Sequence, residues 1–317
     1  MATSKWSLLC SLSLAVGPAG CIADVVPNSS LASCTDLAAT CGPRSDEICC
    51  ANSLVTGGEY ERLDLDQNKS YPATVSDFRL DRFEVTVGRF RRFLREYPGN
   101  IPAAGEGAHP NIENSGWYDS WPLPQDQAEL TASLKCSQYY QTWTDVPGDG
   151  EHKPINCVNW YVAFAFCAWD GGRLPTEAEW NYAAARGSEE TNYPWGSAAP
   201  DDDHAVYCPN YSEVDQGCPT ATLADISDVG SRSPAGDGKW GQSDLAGNMR
   251  EWTLDFHDAY PDNCDDCANL TNVIGGREAR GGDWNNDATS LSSFFRIAYD
   301  PTAATSWVGF RCARRPR

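Results

Sequence analysis

The stretch GGRLPTEAEW, Gly171–Trp180, decides the fold. Thr176 and Glu179 stand three apart, the spacing of a helix capping box. In that arrangement the threonine hydroxyl accepts from the Glu179 backbone N–H, and the glutamate accepts from the N–H of the cap. Pro175 stops the preceding chain from running on as helix. Trp180, Ala183 and Ala184 then make one apolar face, and Gly187 is a natural C-terminal stop. Spacing alone describes a well-capped helix in any fold.

Working outward, PINCVNWYVAFAFCAWD at 154–170 reads as a second helix. Asn159 is its N-cap, Ala163, Phe166, Cys167 and Asp170 fall on or near one face, and Gly171 with Gly172 ends it. Earlier, Thr86 caps a helix with the apolar face Val87, Phe90, Phe93, Leu94 and Tyr97. The partly alternating Val75, Phe78, Leu80, Phe83 and Val85 suit strands. Residues 99–153, rich in Gly, Pro, Asp and Trp, read as a long surface loop with a local fold, and 197–240 reads as loop again.

At 317 residues the chain holds one large domain or two modest ones. The 27 Gly and 20 Pro imply many turns and modest regular structure. A formal charge of −20 argues against a nucleic-acid partner, because phosphate binding needs a basic stripe. The nucleophile motif G-x-S-x-G and the phosphate motif G-x-x-x-x-G-K-[ST] are absent from the sequence.

Residues 1–20 read as an export signal: Lys5, an apolar run over 6–17, then small residues before Cys21. Cys21 after Ala19 and Gly20 resembles a bacterial lipoprotein site, so the chain is expected to be exported to the cell envelope and lipid-anchored at Cys21. Pro18 departs from the usual aliphatic residue, and ordinary secretion or a periplasmic location is the alternative. The membrane is then met only through this N-terminal anchor. With Cys10 in the signal and Cys21 lipidated, twelve cysteines remain, an even count that reads as disulfides in an exported chain. Nearest neighbours such as Cys208 and Cys218 are attractive pairs. Cys264-Asp-Asp-Cys267 reads as a local disulfide, or as half a zinc site. Residues 21–53, polar and cysteine-dense, read as a disulfide-tied spacer, or as a separate binding knot.

The literal strings are more specific than their spacing. RLDRFEVTVGRFRRFL at 79–94, the helix at 154–170, GGRLPTEAEW, YPWG at 193–196, DLAGNMREWTLD at 244–255, RGGDWNN at 280–286 and GFRCAR at 309–314 follow one another in order. Together they resemble the sulfatase-modifying-factor family, whose best-known members are formylglycine-generating enzymes. The resemblance covers about residues 54–314. It implies a single compact α+β domain over 54–317, related to C-type lectins and poor in regular secondary structure. It also implies a disulfide between Cys167 and Cys312. It further implies calcium in the loop Asp244–Glu251, held by Asp244, the carbonyls of Gly247 and Met249, and Glu251. The alternative there is that Asp244 caps a turn and Glu251 pairs with an arginine.

The redox centre is where the resemblance fails. Family enzymes hold copper(I) with two cysteine thiolates, soft ligands for a soft metal, and oxidise a substrate cysteine to formylglycine. Those positions fall here at Asn286 and at Leu291 or Ser292. Asp283 replaces a serine and Arg250 a tryptophan. Copper is therefore not expected, and no residue is assigned a catalytic role. The remaining pocket set of Arg250, Asp283, Trp284, Asn286 and Arg296, with Asn285 and Asp287, suits recognition of a peptide, a glycan or an envelope protein. The competing explanation is that Arg280, Arg296 and Arg311 pair with buried carboxylates to hold a loop-rich core. His109, His152, His204 and His257 form no paired motif for iron. An active family enzyme, modifying sulfatases by an altered route or with another metal, is the alternative function.

Overall fold

The computed structural model describes residues 25–26, 31–214, 216–271 and 275–316. The signal segment and Cys21 lie outside the described residues. Strands and helices are numbered along the chain. One sheet has the order β1 (Val25–Val26), β2 (Asn52–Val55), β5 (Phe78–Asp81) and β11 (Ala313–Arg314), all antiparallel. A second joins β3 (Gly58–Asp64), β4 (Lys69–Val75) and β7 (Cys264–Asp265). The third has the order β10 (Val308–Gly309), β6 (Arg250–Phe256), β8 (Arg277–Arg280) and β9 (Arg296–Tyr299). Helices α1 (Val87–Glu96), α2 (Gln127–Ser133), α3 (Trp160–Trp169) and α4 (Glu177–Ala184) pack around them. Long loops separate these short elements, as expected of an α+β domain poor in regular structure.

The expected caps form. Thr86 accepts from Arg89 N, Asn159 from Val162 N and Thr176 from Glu179 N, with the capping box at Thr176 complete. Helix α3 is buried on nearly every side, against Phe90, Phe93, Trp252 and Phe310. Residues 99–153 contribute more than a surface loop, because Trp117, Leu130, Leu134 and Trp143 are buried in that same cluster.

Residues 31–53, read above as a spacer, lie against the domain. Disulfides Cys34–Cys50 and Cys41–Cys49 tie the segment internally. Arg89 Nε then donates to Ser33 Oγ at 3.0 Å, and Ser33 N donates to Asp170 Oδ1 at 2.8 Å. Cys41, Cys49 and Ala51 pack on Phe83 and Val229.

Four more disulfides complete the set: Cys136–Cys157, Cys167–Cys312, Cys208–Cys218 and Cys264–Cys267. The bond expected from the family resemblance, Cys167–Cys312, links α3 to the chain just before β11. Arg173 and Ala313 exchange backbone hydrogen bonds of 3.0 and 2.8 Å beside it. The opening stretch is thereby fastened to the far end of the chain.

The third sheet separates two kinds of interior. Register pairs Trp252 with Ala279 and Ala279 with Ile297 on one face, and Glu251 with Arg280 and Arg280 with Arg296 on the other. Alternation along each strand does the rest. One face is mostly apolar. The other carries a buried layer of ion pairs.

Candidate functional site

Asp244–Glu251 forms a tight loop leading into β6. Asp244 and Asn248 sit in the left-handed region, at φ 59° and 61°, which Asp and Asn tolerate best among residues with a Cβ. Gly247 is required by closeness: a Cβ there would meet Val206 O at 2.3 Å. Asp244 Oδ2 accepts from Gly230 N at 2.5 Å. Glu251 is wholly buried, gripped by Arg311 Nη2 at 2.6 Å and by Trp180 Nε1 at 2.9 Å. A further carboxylate, Glu84, accepts from Met249 N and Asn248 Nδ2. Burial, then repulsion from Asp244 and Glu251, pushes Glu84 well up; burial lifts Asp244 to about 6. Of the alternative reading, the arginine-paired Glu251 is present, while Asp244 accepts from Gly230, 14 residues earlier in the chain.

The segment after β8 carries the positions at which the family resemblance would place the copper thiolates. Asp283 is buried, 3.1 Å from Arg250 Nη1, and accepts from Asn285 N at 2.8 Å. Burial raises the Asp283 carboxyl, and Arg250 opposes that. Arg250 also donates to Tyr299 Oη. Trp284 packs on Tyr140, ring centres 5.1 Å apart. Asn285 Oδ1 accepts from Cys218 N, and Asn286 O from Cys208 N, so the Cys208–Cys218 loop is seated on this segment. Asn286 Oδ1 and Arg250 Nε are buried without a hydrogen-bond partner. Leu291 is wholly buried among Ala205, Ala246, Tyr193 and Trp195. Ser292 follows the short 3-10 turn Ala288–Leu291, and its hydroxyl accepts from Phe294 N.

Arg296 is not part of that cluster. It stands three residues before Tyr299 on β9, so the two side chains leave opposite faces of the sheet. Arg296 pairs with Glu278 at 2.8 Å and lies 4.0 Å from the Tyr260 ring. Arg280 pairs with Glu177 at 3.2 Å and Arg311 with Glu251, so all three arginines do hold buried carboxylates. Around Arg296 opens a cavity of about 290 Å³, lined also by Arg62, Glu177, Asp255, Tyr260 and Cys267. Burial lifts Asp255 there to about 7. Sequence reading missed Glu84, Arg62 and Tyr260. Their partners lie far along the chain; Glu84 falls within the 79–94 family string, but nothing local marks its role, and no motif marks Arg62 or Tyr260.

A family model described as the sulfatase-modifying factor enzyme 1-like domain matches residues 38–316. The chain belongs to this family. It is 30% identical over 266 residues to an inactive C-alpha-formylglycine-generating enzyme 2 of Bos taurus, covering 76% of this chain and 78% of the relative. It is 28% identical over 268 residues to a formylglycine-generating enzyme of Thermomonospora curvata, covering 76% of this chain and 83% of the relative. Among solved structures, PvdO from Pseudomonas aeruginosa superposes with a TM-score of 0.56 at 22% identity, over 84% of this chain and 95% of that one. The last likeness concerns the fold alone.

The residues present do not fit the family's copper. An amide and a buried leucine, or a serine hydroxyl, stand where two thiolates would be needed, and all twelve described cysteines are in disulfides. For calcium the donor chemistry fits better. Glu84, Asp244 and Glu251 are buried together beside one cation, Arg311, leaving surplus negative charge and hard oxygen donors. Among the described residues, though, no three His, Cys, Asp or Glu side chains converge tightly enough to hold a metal by themselves. A bound calcium would depend on the carbonyls of Gly247 and Met249 as well.

Proposed function

We propose that this chain is an exported member of the family that has left copper-dependent formylglycine chemistry and acts by binding a peptide, a glycan or an envelope protein. One observation supports the reading: no described cysteine is a free thiol, and Leu291, one of the residues at which the resemblance would place a copper thiolate, is committed to an apolar cluster. The inactive relative in Bos taurus is in keeping with it. Arg250, Asp283, Trp284 and Asn286 offer charge, amide and aromatic groups for recognition, and the unpartnered Asn286 Oδ1 has capacity for a ligand's donor. Calcium at Asp244–Glu251 would be structural here, relieving three crowded carboxylates.

The deciding experiment supplies the disulfide-intact protein with copper, a reductant and a peptide bearing C-x-P-x-R, then looks for formylglycine by mass spectrometry. No product above a protein-free control is the expected result. Turnover would overturn the reading and restore the oxidase.

A further inference from the structure

The six disulfides differ in what they do for the fold and in what surrounds them. Cys264–Cys267 closes the shortest loop, with a sequence separation of 3 against 145 for Cys167–Cys312. A loop that short removes the least freedom from the unfolded chain. Nor is the bridge needed to keep its two ends together. Cys264 is held by β7, which pairs with β4 through Ala73 and Thr74. Between the cysteines, Asp266 N donates to Thr74 O at 2.9 Å. The Asp266 carboxylate accepts from Ser76 N at 2.7 Å, Ser76 Oγ at 2.5 Å and Asn111 Nδ2 at 2.6 Å. These bonds survive reduction, so two thiols would stay adjacent.

The sulfurs are unequal. Cys264 is buried, whereas Cys267 is half-buried and lines the cavity of about 290 Å³. Arg62 Nη1 lies 3.9 Å from Cys267 Sγ. Arg62 is 2% exposed and weakly partnered: Glu177 stands at 3.7 Å, Pro261 O at 3.4 Å, and its Nε has no hydrogen-bond partner. A guanidinium so placed favours a thiolate over a thiol beside it. Glu177, Asp255, Asp258 and Arg296 are the other charged groups lining the cavity, and Tyr260 stands beside Arg62.

We propose that Cys264–Cys267 is a reversible thiol–disulfide exchange centre for small-molecule thiols, with Cys267 as the reacting sulfur and Arg62 as the residue that stabilises its thiolate. A thiolate entering the cavity attacks Cys267 Sγ, forming a mixed disulfide there and releasing Cys264 as a thiolate, which takes a proton. A second thiolate attacks the incoming molecule's sulfur, and Cys267 leaves as a thiolate. Two thiols become one small disulfide, the protein gains two electrons and one proton, and the second proton goes to solvent because Cys267 stays a thiolate beside Arg62. In the reverse direction the Cys267 thiolate attacks a small disulfide, and Cys264 resolves the mixed bond.

The test is native reduction with glutathione across a concentration series, an acid quench, alkylation and peptide mass mapping. Cys264 and Cys267 are expected to label at least tenfold faster than Cys136–Cys157 and Cys208–Cys218, each of which also has one partly accessible cysteine. Equal rates would overturn the proposal, and this arm needs no substitution. In a Cys264→Ser protein, Cys267 should take up one glutathione from glutathione disulfide. Its alkylation–pH profile should shift upward with Arg62→Met and return with Arg62→Lys. An unchanged profile in folded Arg62→Met protein would remove Arg62 from the proposal. No adduct on Cys267 would remove the exchange step.

Discussion

Two short stretches, Gly171–Trp180 and Asp283–Ser292, were shaped by different constraints. In the first, the polar side chains are tied into one another, although Arg173 Nε has no hydrogen-bond partner. Arg173 Nη1 reaches Glu179 at 2.6 Å, Thr176 N reaches Glu179 Oε2 at 2.9 Å, and Trp180 Nε1 reaches Glu251 at 2.9 Å. Although burial alone would raise it, Arg173 and His109 hold Glu179 down at about 2. In the second, Asn286 Oδ1 has no partner, and Leu291 and Ser292 belong to different surroundings. A side chain tied into a network is costly to change alone. One with few partners can change at smaller cost. The first stretch lies inside such a network, and Asn286 and Leu291 or Ser292 lie outside one, whereas Asp283 and Arg250 form an ion pair of their own.

A large effect on the ion-paired side of that contrast is expected from Arg311→Met. It would leave Glu251 buried with Glu84 and Asp244 and no counter-charge, which costs about 3–5 kcal/mol when one partner of a buried pair is removed. Urea unfolding measures it, and a loss below about 1 kcal/mol would break the comparison. Next come the disulfides. By chain entropy, replacing Cys167 and Cys312 with serine should cost about 5 kcal/mol, and replacing Cys264 and Cys267 about 2 kcal/mol. Similar losses would mean that the short bridge does more for the fold than its loop length implies.

Much of the first stretch was legible because its signals are local. A cap and its third residue, a helix face and a glycine stop lie within one or two turns of each other. The disulfide between Cys167 and Cys312 is not local, and only the family resemblance supplied it. The second stretch was legible only as a set of absences. Arg296 was grouped with Asp283 and Trp284 by closeness in sequence, yet strand alternation sends it to the opposite face. Glu84 joined the Asp244–Glu251 loop from about 160 residues away. Arg62 and Tyr260 meet across the molecule at 4.3 Å. Pairings at such separation leave no trace in a single sequence. The spacer reading failed to foresee docking for the same reason: Ser33 is held by Arg89 and Asp170.

A smaller effect distinguishes the calcium reading from a purely structural loop. Asp244 is raised by burial to about 6, above its ordinary 3.8. The folded protein therefore binds its proton more tightly than the unfolded chain does. The stability this group allows is present below about pH 4 and is lost as pH rises through 6. In a chelator, Asp244→Asn should match the natural protein at about pH 4 and exceed it by about 1–2 kcal/mol above pH 6, where the charge is no longer buried. Calcium should reverse that order by raising the Tm of the natural protein more than that of the variant. If calcium moves neither Tm, the loop is held by the protein's own contacts, among them those of Arg311, Gly230 and Glu84.

The smallest expected change falls on neighbouring residues of the second stretch. Asn285 and Asn286 are both half-buried amides, and both help seat the Cys208–Cys218 loop, but by different atoms. Asn285 does so through its side chain, whose Oδ1 accepts from Cys218 N at 2.9 Å. Asn286 does so through its backbone carbonyl, which accepts from Cys208 N at 2.7 Å and is untouched by substitution. Asn285→Ala removes one hydrogen bond and strands a backbone N–H, a loss of about 1–2 kcal/mol. Asn286→Ala removes an oxygen that has no partner, and stability should stay within about 0.5 kcal/mol. Thermal melts of the two single variants, with mass mapping to confirm that Cys208–Cys218 stays closed, make the measurement. Equal losses would mean that the Asn286 side chain is structural after all. A loss confined to Asn285 leaves the Asn286 side chain without a role in the fold, in keeping with the recognition role proposed for it.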